Sequence, residues 1–222
     1  MNDNKAFVKF GGLAGILLAI TSWVSVIEYF LLVPAAQQLP IGDVNSYLVS
    51  LAQSPTGTLV FNGLYALVAF WALFGIVALY YRLRSVNEGW AFFATLVGLV
   101  ASVGTIANAL YQVAHLQYVA LAGDANLARV EFLAPSPINP YGIMTFGLTG
   151  LWFLIAALLM LRTNVPRLLS YLGLVAFADL AAGFIGSIAG IGILATIAAL
   201  IAGAVGGPIF WLWLGIVLRH ES

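Results

Sequence analysis

The sequence predicts an all-α fold: a polytopic transmembrane helix bundle of about six spans, with both termini in the cytoplasm. Three observations predict it. Hydrophobic residues make up 63% of the 222 and charged residues only 7%, with a mean hydropathy of +1.05. The apolar residues gather into six long stretches, and the positive charges fall almost entirely on alternate connections. A soluble domain covers itself with about 25% charged residues, so this chain requires lipid as its solvent.

The stretches run about 10–33, 58–81, 90–118, 141–161, 168–188 and 193–218, within a single domain over 1–222. Each is long enough to cross, since about 20 apolar residues make one crossing. The first follows Lys5 and Lys9, as a signal peptide would. It runs unbroken from Gly11 to Val33 without a small-x-small cleavage site, so it reads as a retained helix. Pro34 ends it, and Ser54-Pro55-Thr56-Gly57 carries the turn chemistry before the second. Arg82, Arg84, Asn87 and Glu88 separate the second and third. Pro135, Pro137 and Pro140 precede the fourth; Arg162, Asn164, Pro166 and Arg167 follow it. From Leu168 to Leu218 only Asp179 is charged, and Ala189-Gly190-Ile191-Gly192 is the one break. That length suits two crossings and a tight turn, not one crossing.

Charge sets the expected orientation. Lys5, Lys9, Arg82, Arg84, Arg162, Arg167 and Arg219 share one side, and only Arg129 falls opposite. The positive-inside rule puts both ends in the cytoplasm, consistent with a multi-pass protein of the plasma membrane. Aromatics agree: Tyr80, Tyr81, Trp90, Tyr171, Trp211 and Trp213 fall near the inner interface, and Tyr29, Tyr118 and Tyr141 near the outer one.

Glycines four apart (Gly11 with Gly15, Gly186 with Gly190, Gly203 with Gly207) open flat stripes suited to close helix packing. Gly206-Gly207-Pro208 should kink the sixth span, because Pro208 cannot donate a backbone hydrogen bond. In the first outer connection Val44, Tyr47, Leu48 and Leu51 keep helical spacing behind Asp43, an expected N-cap. Residues Ala125 to Leu133 read as a second short helix. Both either cover the outer mouth or simply connect spans.

Ionisable residues inside spans are the most informative, because each costs about 2.5–3.5 kcal/mol at the bilayer centre. They are Glu28, His115 and Asp179. Thr21 and Ser25 share a helical face with Glu28, and Thr105, Asn108, Gln112 and His115 form a polar stripe spaced 3, 4 and 3. With Asn62 and Tyr65 at similar depth, Glu28, Asn62, Tyr65, Asn108, Gln112 and His115 are candidates for one outer polar cluster. One reading makes it an outward-facing ligand pocket with Glu28 and His115 as a proton-linked pair. The other makes it hydrogen-bonded glue between three helices. Asp179 sits near the midplane, where a partner, a hydrated cavity or protonation must compensate it. It is a candidate for ion or proton handling, or a neutral hydrogen-bonded carboxyl.

Other chemistries find no residues. Cysteine is absent, and of the two histidines His220 lies outside the spans. A bis-histidine haem, a zinc site of the usual kind and a serine elbow are thereby set aside, and no cofactor is evident. A net charge of +0 leaves no basic surface for nucleic acid. The expected partners are the lipid bilayer and either other membrane subunits or a second copy. The C-terminal part, with Pro166-Arg167, Leu169 and Gly173 entering the fifth span and Leu212-Trp213-Leu214 closing the sixth, resembles an uncharacterised bacterial family of six-helix membrane proteins, a domain of unknown function. Members often carry an acidic residue before the closing segment, where Pro208 and Ile209 stand here. The resemblance implies the fold and no activity. Small-ligand binding or transport is the leading expectation, and a non-catalytic accessory subunit the alternative.

Overall fold

The protein is described from a computed structural model covering residues 2–38, 43–122 and 136–220. Its helices are α1 (Asn2–Leu32), α2 (Val44–Gln53), α3 (Thr56–Leu83), α4 (Glu88–Leu121), α5 (Pro140–Met160), α6 (Arg167–Ile188) and α7 (Gly192–His220). All except α2 are long and apolar enough to cross a membrane, and no strand occurs among the described residues. Arg129, Pro135 and the short helix expected at Ala125–Leu133 lie outside the described residues.

The six spans form a ring in chain order. Each packs on the next, α1 on α3, then α4, α5, α6 and α7, and the last half of α7 (Gly207–His220) returns to α1. Lys5, Lys9, Arg82, Arg84, Arg162, Arg167 and Arg219 stand at one end of it, the terminal face. α2 stands at the other.

Small residues let the ring close. Where α1 crosses α7, a Cβ on Gly12 would lie 2.7 Å from the Gly215 carbonyl, and one on Gly215 would lie 2.5 Å from the Gly12 carbonyl. The backbones therefore touch, as helices in lipid do when dispersion rather than water drives association. Gly11 is used the same way against Ala78 of α3, and Gly15 against the Trp211 carbonyl. Inside the ring, Trp152 stacks on Trp211 at 5.2 Å with planes 4° apart, and Phe153 meets Phe210 edge-on at 4.9 Å. Gly98 and Gly75 are notches for these indoles: added Cβ atoms would fall 2.6 Å from Trp152 and 2.5 Å from Trp211.

The expected glycine pair at the α6–α7 turn divides its work. Gly186 packs on Leu194, while Gly190 takes φ +69 with nothing near its missing Cβ. The Ile191 N–H donates to the Gly186 carbonyl at 2.8 Å and the Gly190 N–H to Ser187 at 3.4 Å, a Schellman close to α6. The tight turn between two crossings is thus formed.

α7 is not one straight helix. Ala202–Gly206 winds as π-helix just before Gly207-Pro208. Pro208 cannot donate to the Ala204 carbonyl four residues back. The Trp23 indole N–H of α1 donates to that carbonyl instead, at 3.1 Å. Below this point α7 packs on α1; beyond it, Gly192–Ile201 packs on α6.

At the opposite face Asp43 caps α2, accepting from the Ser46 N–H at 2.8 Å. Tyr47, Leu48 and Leu51 are buried there against Leu116 of α4. Gln37, 5% exposed, ties the segment down. Its amide donates to Ser50 Oγ at 2.9 Å and to the Ser54 carbonyl at 3.2 Å, and its carbonyl accepts from Thr58.

Candidate functional site

Enclosed by the ring lies a cavity of about 410 Å³, lined by residues of all six spans. That is within the range of small-molecule sites, about 300–1,000 Å³. Trp152, Trp211 and Phe153 bound it toward the terminal face, where the aromatic cluster fills the ring. Among the described residues no Asp, Glu, Lys, Arg or His lines it. Its polar side chains are hydroxyl-bearing residues and the indoles of Trp152 and Trp211.

Most membrane Ser and Thr side chains spend their proton on the carbonyl of the preceding turn. Several here do so: Ser25 donates to Ser22, and Thr149 to Met144. Ser22, Tyr65, Ser102, Thr105 and Thr196 do not; each lines the cavity and donates to no other described residue. They come from α1, α3, α4 and α7, so the free donors converge from four sides. An apolar chamber with a few converging polar groups is the usual form of a small-molecule site.

The candidates read from the sequence distribute unevenly about this chamber. Tyr65 lines it, its ring parallel to Phe61 at a centroid distance of 6.3 Å. Asn62 lies on the same helix, but its amide is spent on the Thr58 carbonyl at 2.8 Å. Asn108 accepts from Ser136 Oγ at 2.6 Å, anchoring the turn before α5 to α4. Gln112 is half-buried and makes no hydrogen bond to a described residue. His115 stacks on Tyr111 at 4.8 Å with planes 16° apart. Glu28 is 7% exposed, and neither of its carboxyl oxygens has a hydrogen-bond partner among the described residues. It forms no ion pair with His115. Asp179 is half-buried, its Oδ2 buried without a partner, while its neighbours Ala176 and Leu180 line the cavity. Of the seven, only Tyr65 faces the chamber.

Sequence reasoning passed over Ser22, Ser102 and Gln37. A signal for the first two exists: Ser22 with Ser25, and Ser102 with Thr105, are spaced i to i+3 and so share a helical face. Gln37 gave no such pattern, because it lies in a short 3₁₀ turn (Ala35–Gln37) between helices.

Asn139 is a second polar anchor near the chamber's rim. Its carbonyl accepts from the Met144 N–H at 2.8 Å and its amide donates to Thr145 Oγ1 at 3.2 Å, closing the first turn of α5. Tyr141 and Gly142, between Pro140 and Ile143 at the start of α5, take φ of 54 and 73. No group of three or more metal-ligating side chains occurs among the described residues.

No curated protein and no solved structure matches this chain. A family model does, over residues 13–217, which reaches into all six spans and includes every residue lining the chamber. The chain therefore belongs to the family described as a domain of unknown function, DUF4386.

Proposed function

We propose that this is a multi-pass protein of the plasma membrane, with cytoplasmic termini, that binds a small neutral ligand in the chamber at the centre of its ring. The observation that carries this reading is the convergence of five undonated hydroxyls on an uncharged, aromatic-floored cavity. A charged solute would leave its solvation behind for hydroxyls and rings alone, at a cost of several kcal/mol. A neutral, largely apolar molecule leaves little behind and gains hydrogen bonds from Ser22, Ser102 and Thr105 on facing helices. The same chamber serves either stable binding or one stage of transport, with Asp179 and Glu28 as the groups available for proton coupling.

Native mass spectrometry of protein released from mild-detergent micelles tests it. The wild type should carry a small-molecule adduct, and Ser102→Phe, which fills the chamber, should lose it. A wild type with no adduct, or an adduct that survives Ser102→Phe, overturns the assignment.

The accessory-subunit reading draws on Asp179. Its half-buried, unpartnered carboxyl lies one turn from Val175, which is 61% exposed, so it borders the face of α6 turned to the surroundings. A polar group on another chain would satisfy it. Under that reading Asp179→Leu should disperse a native complex while leaving this chain folded.

A further inference from the structure

The chamber has a side opening. α7 packs on α1 through Gly207–His220 and the π-segment Ala202–Gly206, pinned by the Trp23–Ala204 hydrogen bond, whereas Gly192–Ile201 leans onto α6. Between the parted helices a slit reaches the chamber. Phe30 of α1 and Leu200 of α7 both line the cavity and are 57% and 44% exposed. Gly203 lines it too, is exposed, and has no atom within 4 Å of where a Cβ would stand. These residues lie within spans, so the slit opens onto hydrocarbon. Toward the opposite face, α2 packs on α4, and Gln37 holds Ser50, Ser54 and Thr58 together.

Irregular backbone at membrane depth is tolerated where it borders a cavity. The π-segment Ala202–Gly206 is such backbone, and the hydrogen bond from Trp23 to its Ala204 carbonyl is the pin at the foot of the slit. The geometry points to a ligand that is itself dissolved in the bilayer: a neutral amphiphile that passes sideways between α1 and the Gly192–Ile201 half of α7. Its polar end takes hydrogen bonds from Ser22, Ser102 and Thr196, and its chain lies over the indoles and out through the slit. A polar head carrying charge finds no counter-group among the lining residues. This assignment rests on the chamber being the binding site.

The test uses the whole chain in phosphatidylcholine vesicles and two probes. One is a long-chain alcohol carrying a diazirine, delivered in the lipid; the other is a short, water-soluble diazirine alcohol delivered outside. After brief illumination, labelled peptides are mapped by mass spectrometry. The lipid-borne probe should mark the segments bearing Ser102 and Trp211. Gly203→Trp, which fills the slit where there is open space, should slow that labelling many-fold. Phe30→Ala, which widens the slit, should hasten it. Undiminished labelling of Gly203→Trp, or chamber labelling by the water-borne probe alone, overturns the lateral route while leaving the chamber as a site. Absence of chamber labelling by either probe in any of the three proteins removes the underlying binding site, and the lateral route with it.

Discussion

Two glycines in the α6–α7 turn should respond oppositely to alanine. Gly190 and Gly192 are two residues apart, and neither has an atom within 4 Å of its missing Cβ, so packing is not at issue in either. Gly190 holds φ +69, whereas Gly192 opens α7 without positive φ. An L-residue in the left-handed region costs about 1–2 kcal/mol. Whatever alanine does to the denatured chain, typically a gain of about 0.4–1 kcal/mol, it does at both positions. The difference between Gly190→Ala and Gly192→Ala therefore isolates backbone strain, and should be about 1–2 kcal/mol in favour of the latter. Gly190→Asn should fall between them, because Asn tolerates this conformation. Denaturant unfolding in a fixed micelle, followed by tryptophan fluorescence, reads all three. If the two alanine variants agree within about 0.5 kcal/mol, the Schellman assignment is wrong.

Gln37→Leu should destabilise the protein by about 1–3 kcal/mol for each group left unpaired, with Ser50 and Thr58 losing a partner on the same unfolding assay. Asn139→Ala removes the side-chain hydrogen bonds with the Met144 N–H and Thr145 Oγ1 and should cost about 1 kcal/mol, with faster proteolysis around residues 136–142. Glu28→Leu should stabilise the chain, since its oxygens have no partner among the described residues; a loss of stability would reveal a bound partner. Burial beside Tyr29 pushes the Tyr47 phenol up from 10.0 to about 12. The folded state then holds this proton longer than the unfolded one, so the contribution is complete below pH 10.0 and is lost as pH rises toward about 12. Spectrophotometric titration should show one phenol fewer among those titrating late in Tyr47→Phe than in the wild type.

Much of the frame was legible because lipid imposes few, severe rules. A continuous apolar run of about 20 residues must be a helix, since the other way to satisfy a backbone in hydrocarbon, a closed barrel, uses short strands of alternating polarity. That rule alone delivers α1 and α3 to α7, and Gly190 with Gly192 was enough to divide the last pair. α2 was legible for a different reason: Asp43 followed by Val44, Tyr47, Leu48 and Leu51 states both a cap and a buried stripe. The kink at Pro208 was legible as a break, but its form as a π-turn pinned by Trp23 was not. That hydrogen bond joins residues 181 positions apart, and no local pattern announces it.

The site was less legible, for an energetic reason. Weighing residues by the cost of burying them singles out carboxylates, amides and histidine, which is how Glu28, Asn108 and His115 came forward. Yet costly groups are also those a fold first neutralises with local hydrogen bonds, as Thr58 does for Asn62 and Ser136 for Asn108. A serine hydroxyl costs little in a helix, because the preceding carbonyl is always at hand. A serine that leaves that carbonyl unused, such as Ser22 or Ser102, is therefore a sharper sign of a ligand than a buried charge. That distinction is visible only once coordinates show where the proton goes. Hydroxyls from four helices then converge on a single volume, and the slit between α1 and α7 supplies the direction from which something could fill it.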